Sequence, residues 1–256
     1  MFEQIAEKVN GYRTMKERRN DPMYIDTFMT KGNKKLTDYI DELAAVRLLY
    51  AQFNLPAKKT CPFRTPGCEK FCYAKRDERF PEPRNNRQRN YEISRGADFA
   101  ERLVYTIMAE MKSNRYKNGT MVLRIHESGD FYNRFYLHSW INVIRALSGY
   151  NVIFQFYTKS FLYFLQLSDT DRADLNDAIN SGRVAMSLSY DKSMNAMQYA
   201  QLLLCKKAFP GANVYAAIPE KDLENYEHDT VCDCADCAKC GHCVHTTGKT
   251  VAVAIH

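Results

Sequence analysis

Residues 121–158 read MVLRIHESGDFYNRFYLHSWINVIRALSGYNVIFQFYT, and this stretch decides the fold. Met121–Ile125 is a short apolar run that suits a strand. Phe135–Leu147 then sets Tyr136, Trp140, Val143, Ile144 and Leu147 at helical spacing on one face. Asn151–Thr158 is rich in aromatic and β-branched residues, the composition of a buried strand. Strand, helix and strand in this order, with nearly continuous apolar strands, make a parallel βα unit.

The unit repeats outward. Upstream, Phe99, Leu103, Ile107 and Met111 recur every four residues in a helix over Ala97–Met111. Downstream, helices are expected over Phe161–Leu167, Ala173–Ser181 and Ser193–Lys207, and strands over Val184–Ser189, Asn213–Ile218 and Val251–Ile255. The expected fold is therefore α/β, a parallel (β/α) barrel, closed or partial, of about six strands. An open doubly wound sheet is the other candidate, and in both the ligands sit at the C-terminal ends of the strands. Residues 1–50 read as an N-terminal helical segment, around Phe2–Val9 and Asp38–Tyr50. Residues 51–225 carry the barrel with an irregular cysteine-bearing loop over 56–90, and residues 226–256 form a cysteine-rich metal segment with the last strand.

Hydrophobic residues make up 45% of the 256, enough for a sizeable core. The net charge of +6 permits an anionic partner without demanding one. No apolar run approaches the roughly eighteen residues of a membrane span, and the charged start lacks a secretory pattern. A soluble protein in a reducing cytoplasm, with no membrane partner, is expected.

Eight of the nine cysteines fall in two groups, while Cys205, at helical spacing from Leu202, is expected in the core. In a reducing compartment clustered cysteines ligate metal rather than pair. Cys61, Cys68 and Cys72 share one loop with Pro62, Pro66 and Gly67. Three thiolates suit a [4Fe–4S] cluster with one iron left open, whereas zinc asks for a fourth ligand that the neighbouring sequence does not supply. Cys232, Cys234, Cys237, Cys240 and Cys243, followed by His245, suit a second cluster or a zinc that pins the C-terminal segment.

The strand at 121–125 runs into His126-Glu127-Ser128-Gly129-Asp130, a dense polar set where a barrel keeps its active site. Two carboxylates and an imidazole can bind a cationic amine, orient a ribose or move protons; Ser128 or Asp130 can instead cap the next helix. Lys159 at the next strand end can meet a carboxylate or phosphate, with Ser160 a possible N-cap. Ser187 and Ser189 can line a polar pocket, and Asp191 or Ser193 can cap a helix. Lys75, Arg76, Arg79, Arg84, Arg87, Arg89 and Arg95, interleaved with Tyr73, Phe80 and Tyr91, form a basic stretch over 75–95 able to grip phosphates and stack bases.

Gly32-Asn-Lys-Lys-Leu36, Phe53-Asn-Leu-Pro56, Thr60-Cys-Pro62, Cys68-x-x-x-Cys72-Tyr-Ala74, Ser128-Gly-Asp-Phe131 and Tyr157-Thr-Lys-Ser160 together resemble the phage gene product 88 family. The resemblance covers most of the chain, implies the cytoplasm of a host cell, and carries no established activity. Three loop cysteines ahead of βα units also resemble the radical S-adenosylmethionine enzymes. There, three cysteines hold a [4Fe–4S] cluster whose open iron chelates the cofactor. The resemblance implies Phe71 near the adenine, His126, Glu127 and Asp130 at the cofactor and the chemistry, and Ser128, Lys159 and Ser189 as further cofactor contacts. The spacing departs from that superfamily: six and three residues separate the cysteines here, against three and two.

Cys232, Cys234 and Cys237 are similar to the zinc site of tRNA-guanine transglycosylases, with His245 or His256 as the distant ligand. That likeness implies base exchange in DNA or tRNA with Asp130 or Asp191 as nucleophile. The leading expectation is a radical S-adenosylmethionine-like enzyme acting on a nucleic acid or nucleotide. A base-exchanging transglycosylase and a metal-stabilised nucleic-acid-binding protein are the alternatives.

Overall fold

The run at 121–125 does form a strand, inside an eight-stranded sheet. The computed structural model describes residues 1–29, 38–41, 46–232, 243–244 and 248–255. Two helices come first, α1 (Phe2–Gly11) and α2 (Met15–Asn20), then strands β1 (Tyr39–Asp41) and β2 (Val46–Phe53). Three helices follow in the cysteine-bearing region, α3 (Pro66–Phe71), α4 (Ala74–Asp77) and α5 (Pro81–Ile93), and then α6 (Phe99–Met111). The chain continues through β3 (Thr120–Ile125), α7 (Arg134–Ala146), β4 (Val152–Thr158), α8 (Phe161–Leu165) and α9 (Asp169–Asn180). It ends with β5 (Val184–Asp191), α10 (Ala196–Ala208), β6 (Asn213–Pro219), a 3₁₀ turn, β7 (Thr230–Cys232) and β8 (Thr250–Ile255).

The strand order is β1-β2-β3-β4-β5-β6-β8-β7. β1 is antiparallel to β2, and the seven strands from β2 onward are parallel. The architecture is α/β as expected, but the sheet is open, with β1 and β7 at its edges, and has more strands than the sequence shows. Two local expectations are corrected. Asp38–Tyr50 is not a helix: Val46–Phe53 is a strand buried from Leu48 onward. A strand covered on both faces has no period of its own, so its apolar run is indistinguishable from a buried helix. The loop over 56–90 contains helices, the longest being α5, whose sequence PEPRNNRQRNYEI has no apolar stripe to announce it.

Consecutive parallel strands joined by crossovers of one hand keep their helices on one face. Met121, Leu123 and Ile125 of β3, Phe154 and Phe156 of β4 and Met186 and Leu188 of β5 join the helices in one core with Phe99, Tyr136, Trp140, Phe164 and Cys205. Each fully buried large side chain there contributes roughly 1.5–3 kcal/mol. The alternate residues of the same strands, among them Tyr50, Gln52, Arg124, Gln155, Tyr157, Ser189 and Tyr215, line one cavity of about 1590 Å³. A single cavity touched by β2 to β6 and by β8 means that the sheet curves around it. Leu48, Tyr50, Val122 and Val244 form a second apolar cluster that floors this face. The segment at 243–244 therefore lies across the cavity face, where Gln155 Nε2 also donates to the Cys243 carbonyl at 2.5 Å.

Candidate active site

The loop that leaves β2 is fastened at both ends of its path across the cavity mouth. On the β3 side, the Leu55 N–H donates to the Ser128 carbonyl at 2.8 Å and the Asp130 N–H to the Thr60 carbonyl at 3.1 Å. Gly129 has φ +95°, and a Cβ there would stand 2.7 Å from both Leu55 Cβ and Thr60 Oγ1, so only glycine lets the two loops meet. On the β5 side, Thr65 Oγ1 donates to Asp191 Oδ2 at 2.6 Å and the Gly67 N–H to Ser193 Oγ at 2.7 Å. From α10, Gln198 Nε2 reaches the Phe63 carbonyl at 3.1 Å. Thr65 also caps α3 by accepting from the Cys68 N–H at 3.1 Å.

Cys61, Cys68 and Cys72 all line the cavity. So do Cys232 and Cys243, which brings two groups remote in sequence to one space. Burial pushes the Cys61 thiol up to about 12, helped by negative charge at Asp130 and by its neighbours Cys68 and Cys72. Among the described residues no three His, Cys, Asp or Glu side chains stand together at metal-binding distance. The donor set itself, three soft sulfur atoms from one loop directed to one cavity, fits an iron–sulfur centre or zinc. Cys234, Cys237 and Cys240, with His245 and His256, lie outside the described residues.

All five residues of the polar run after β3 line the cavity, and they differ in what their side chains touch. His126 has φ +66° and packs its ring among Phe131, Tyr136 and Trp140, with Nε2 2.7 Å from the Tyr136 hydroxyl. Burial, with Arg124 nearby, drives its pKa down to about 3, so the ring is neutral. Glu127 faces the cavity, where its N–H donates to Asn54 Oδ1 at 2.7 Å; burial raises its pKa against the pull of Arg87 and Arg124. Ser128 lines the same space, and its buried Oγ has no hydrogen-bond partner among the described residues.

Asp130 accepts from Thr158 Oγ1 at 2.7 Å and from the N–H groups of Phe131 and Lys159 at 2.7 and 2.9 Å. It caps no helix; Asn133 does that for α7, accepting from the Tyr136 N–H. Burial raises its pKa despite those bonds.

Lys159 meets a carboxylate, as expected: Nζ is 3.4 Å from Asp191 Oδ2. Burial opposes ionisation of Asp191, yet Ser193, Thr65 and Lys159 together hold its pKa below the ordinary value. Ser193 and Asp191 are not N-caps, because α10 begins at Ala196 under an Asn195–Gln198 capping box. Ser160 likewise makes no side-chain cap and donates to the Phe131 carbonyl. Ser189 lines the cavity, and Phe71 stands half-exposed at its mouth.

Sequence reasoning missed the middle of the cavity. Gln52, Arg124 and Gln155 occupy one register row across β2, β3 and β4. Their signal was present as a polar residue inside each of three apolar strands, which a buried strand carries only for a reason. The basic stretch is partly spent on structure. Arg87 is buried and donates to the Ala74 carbonyl, Glu78 and Asp77, and Arg89 pairs with Asp26 at 2.8 Å. Lys75, Arg76, Arg79 and Arg84 are exposed without an ion pair among the described residues.

Among the described residues no helix is long and apolar enough to cross a membrane. No solved structure matches this chain. A stretch of 139 residues is 29% identical to the gene 88 protein of Mycobacterium phage D29, covering 50% of this chain and 56% of that one. The chain thus spans about half the length of the curated relative it matches. The family model described as gene product 88 matches residues 27–246. With the cysteine loop, the turn after β3 and most of the cavity lining inside that span, the chain belongs to the gene product 88 family.

Proposed function

We propose that this protein is an iron–sulfur enzyme of the radical S-adenosylmethionine type, with a [4Fe–4S] cluster on Cys61, Cys68 and Cys72 at the mouth of a partial (β/α) barrel. One observation carries the reading: the three-thiol loop leaves the C-terminal end of the first parallel strand, and all three cysteines line one cavity walled by the strands that follow. The turn after the next strand brings Glu127 and Ser128 to the same space, with Ser128 Oγ lacking a hydrogen-bond partner among the described residues, an arrangement suited to an ammonium group. Ser189 and Lys159 offer a hydroxyl and a cation further along the rim, and Phe71 an aromatic face. When bound, such a cluster supplies the electron that cleaves the sulfonium cofactor and so initiates hydrogen abstraction. His126 and Asp130 act through position: one anchors the turn in the aromatic core, and the other ties β3 to β4. Exposed Arg76, Arg79 and Arg84 beside Phe80 favour a nucleic acid or nucleotide as substrate, in the cytoplasm of the cell that makes the protein.

Base exchange is less well supported. Its nucleophile would be Asp130 or Asp191, and both carboxylates already accept several hydrogen bonds. A purely nucleic-acid-binding role leaves the polar cavity without a use. Anaerobic purification tests the proposal. A brown protein with about four irons per three-cysteine site is expected, together with formation of 5′-deoxyadenosine from S-adenosylmethionine under reduction. Both should vanish in Cys68→Ala. A colourless protein that holds only zinc overturns the reading.

A further inference from the structure

Arg124 is the last residue but one of β3 and lies on the cavity face, flanked in register by Gln52 of β2 and Gln155 of β4. Its guanidinium lies over the Tyr157 ring, 4.0 Å from the centroid, and Tyr157 meets Tyr215 edge-on at 4.7 Å. Its Nε donates to the His126 carbonyl at 3.3 Å. No carboxylate stands within ion-pair distance of it among the described residues. Tyr73 and Cys243 act on it electrostatically, and Glu127 accepts from Asn54 Nδ2 at 3.4 Å. Of the other enclosed arginines, Arg87 has Asp77 and Glu78, whereas Arg18 donates to the carbonyls of Val9 and Tyr12. A guanidinium cannot shed its proton, so an uncompensated one in a low-dielectric cavity is costly. Beside it the Oε1 of Gln155, a residue only 1% exposed that lines the same cavity, has no hydrogen-bond partner among the described residues. The apolar floor of Leu48, Tyr50, Val122 and Val244 lies directly beneath.

We infer that the row Gln52–Arg124–Gln155, roofed by Tyr157 and Tyr215, is the anchoring site for the oxyanion of a small-molecule substrate, a carboxylate or a phosphate. The planar fork of Arg124 matches both groups, and the amides on either side offer polar contacts to the atoms next to the charge. The site lies below the cysteine loop, so a molecule anchored there extends toward the mouth. This rests on the cavity being the substrate chamber of the enzyme proposed above, and it narrows the substrate to a small organic anion held from beneath.

The test uses the full chain, titrated with inorganic phosphate in one arm and succinate in another, at constant ionic strength with chloride as the control. At least one oxyanion should bind and raise the melting temperature, and chloride should not. Arg124→Met should weaken that binding by about 10-fold or more, and Arg124→Lys, which keeps the charge but loses the fork, by less. Without oxyanion, Arg124→Met should melt at or above the wild-type temperature, because it removes a charge that no carboxylate among the described residues balances. Binding by neither oxyanion, undiminished binding in Arg124→Met, or a marked loss of melting temperature in that variant would overturn the inference. The combined Cys61→Ser, Cys68→Ser and Cys72→Ser variant separates the two proposals. It should lose iron yet keep the oxyanion response, so each can fail while the other stands.

Discussion

Gly129 shows what one residue decides at this site. At φ +95°, with backbone and side-chain atoms of Leu55 and Thr60 in the place of its missing Cβ, it lets the turn after β3 touch the cysteine loop. Gly129→Ala should destabilise the fold by about 1–3 kcal/mol, read from the midpoint of urea unfolding. His126 makes a second residue-scale prediction. Its folded pKa of about 3 lies below the ordinary 6.5, so between those values the unfolded chain binds a proton that the folded chain refuses. Stability should therefore fall as pH drops through that window, at up to about 1.4 kcal/mol per pH unit. His126→Asn, which tolerates the left-handed backbone, should flatten this slope even if it lowers stability throughout; an unchanged slope would refute the assignment. The polar run 126–130 was legible as important, because so many polar groups follow an apolar strand. Its division of labour was not, because which way His126 turns depends on Phe131, Tyr136 and Trp140 packing around it.

At the scale of elements, the cysteine loop is held by strand ends rather than by its own short helices. Thr65, Gly67 and Ser193 converge on Asp191 at the end of β5, and Lys159 joins them from β4. Asp191→Ala should raise hydrogen exchange and protease cleavage across residues 61–72 while amides in β3 and β4 keep their protection. Equal loss of protection everywhere would mean that Asp191 serves the global fold instead. Elements with a period were readable: β3, α7, β4, β5 and β6 stand where their patterns place them. Those without one were not. β2 is buried throughout its second half, and α5 is polar nearly all round, held in place by Arg87 inserting among Ala74, Asp77 and Glu78.

For the molecule as a whole, the open sheet is completed as a vessel by the segment at 243–244. Val244, 2% exposed, fills the floor against Leu48, Tyr50 and Val122. Val244→Ser should cost about 1–3 kcal/mol, from lost burial and a stranded hydroxyl, seen as a lower urea midpoint. Spacing alone made the two cysteine groups look independent, and only the curvature of the sheet brings Cys232 and Cys243 to the cavity of Cys61, Cys68 and Cys72. The strand order has a kinetic side as well. From β2 to β6 each new strand docks on the edge left by the one before, and every crossover is local. β8 breaks the rule: it follows β7 in the chain yet seats between β6 and β7. Since β7 pairs only with β8 among the described residues, it has no ladder there to join until β8 arrives. The closing of that edge is then a late, two-strand event that carries the cysteine-rich connection with it, so this corner should refold last and open first.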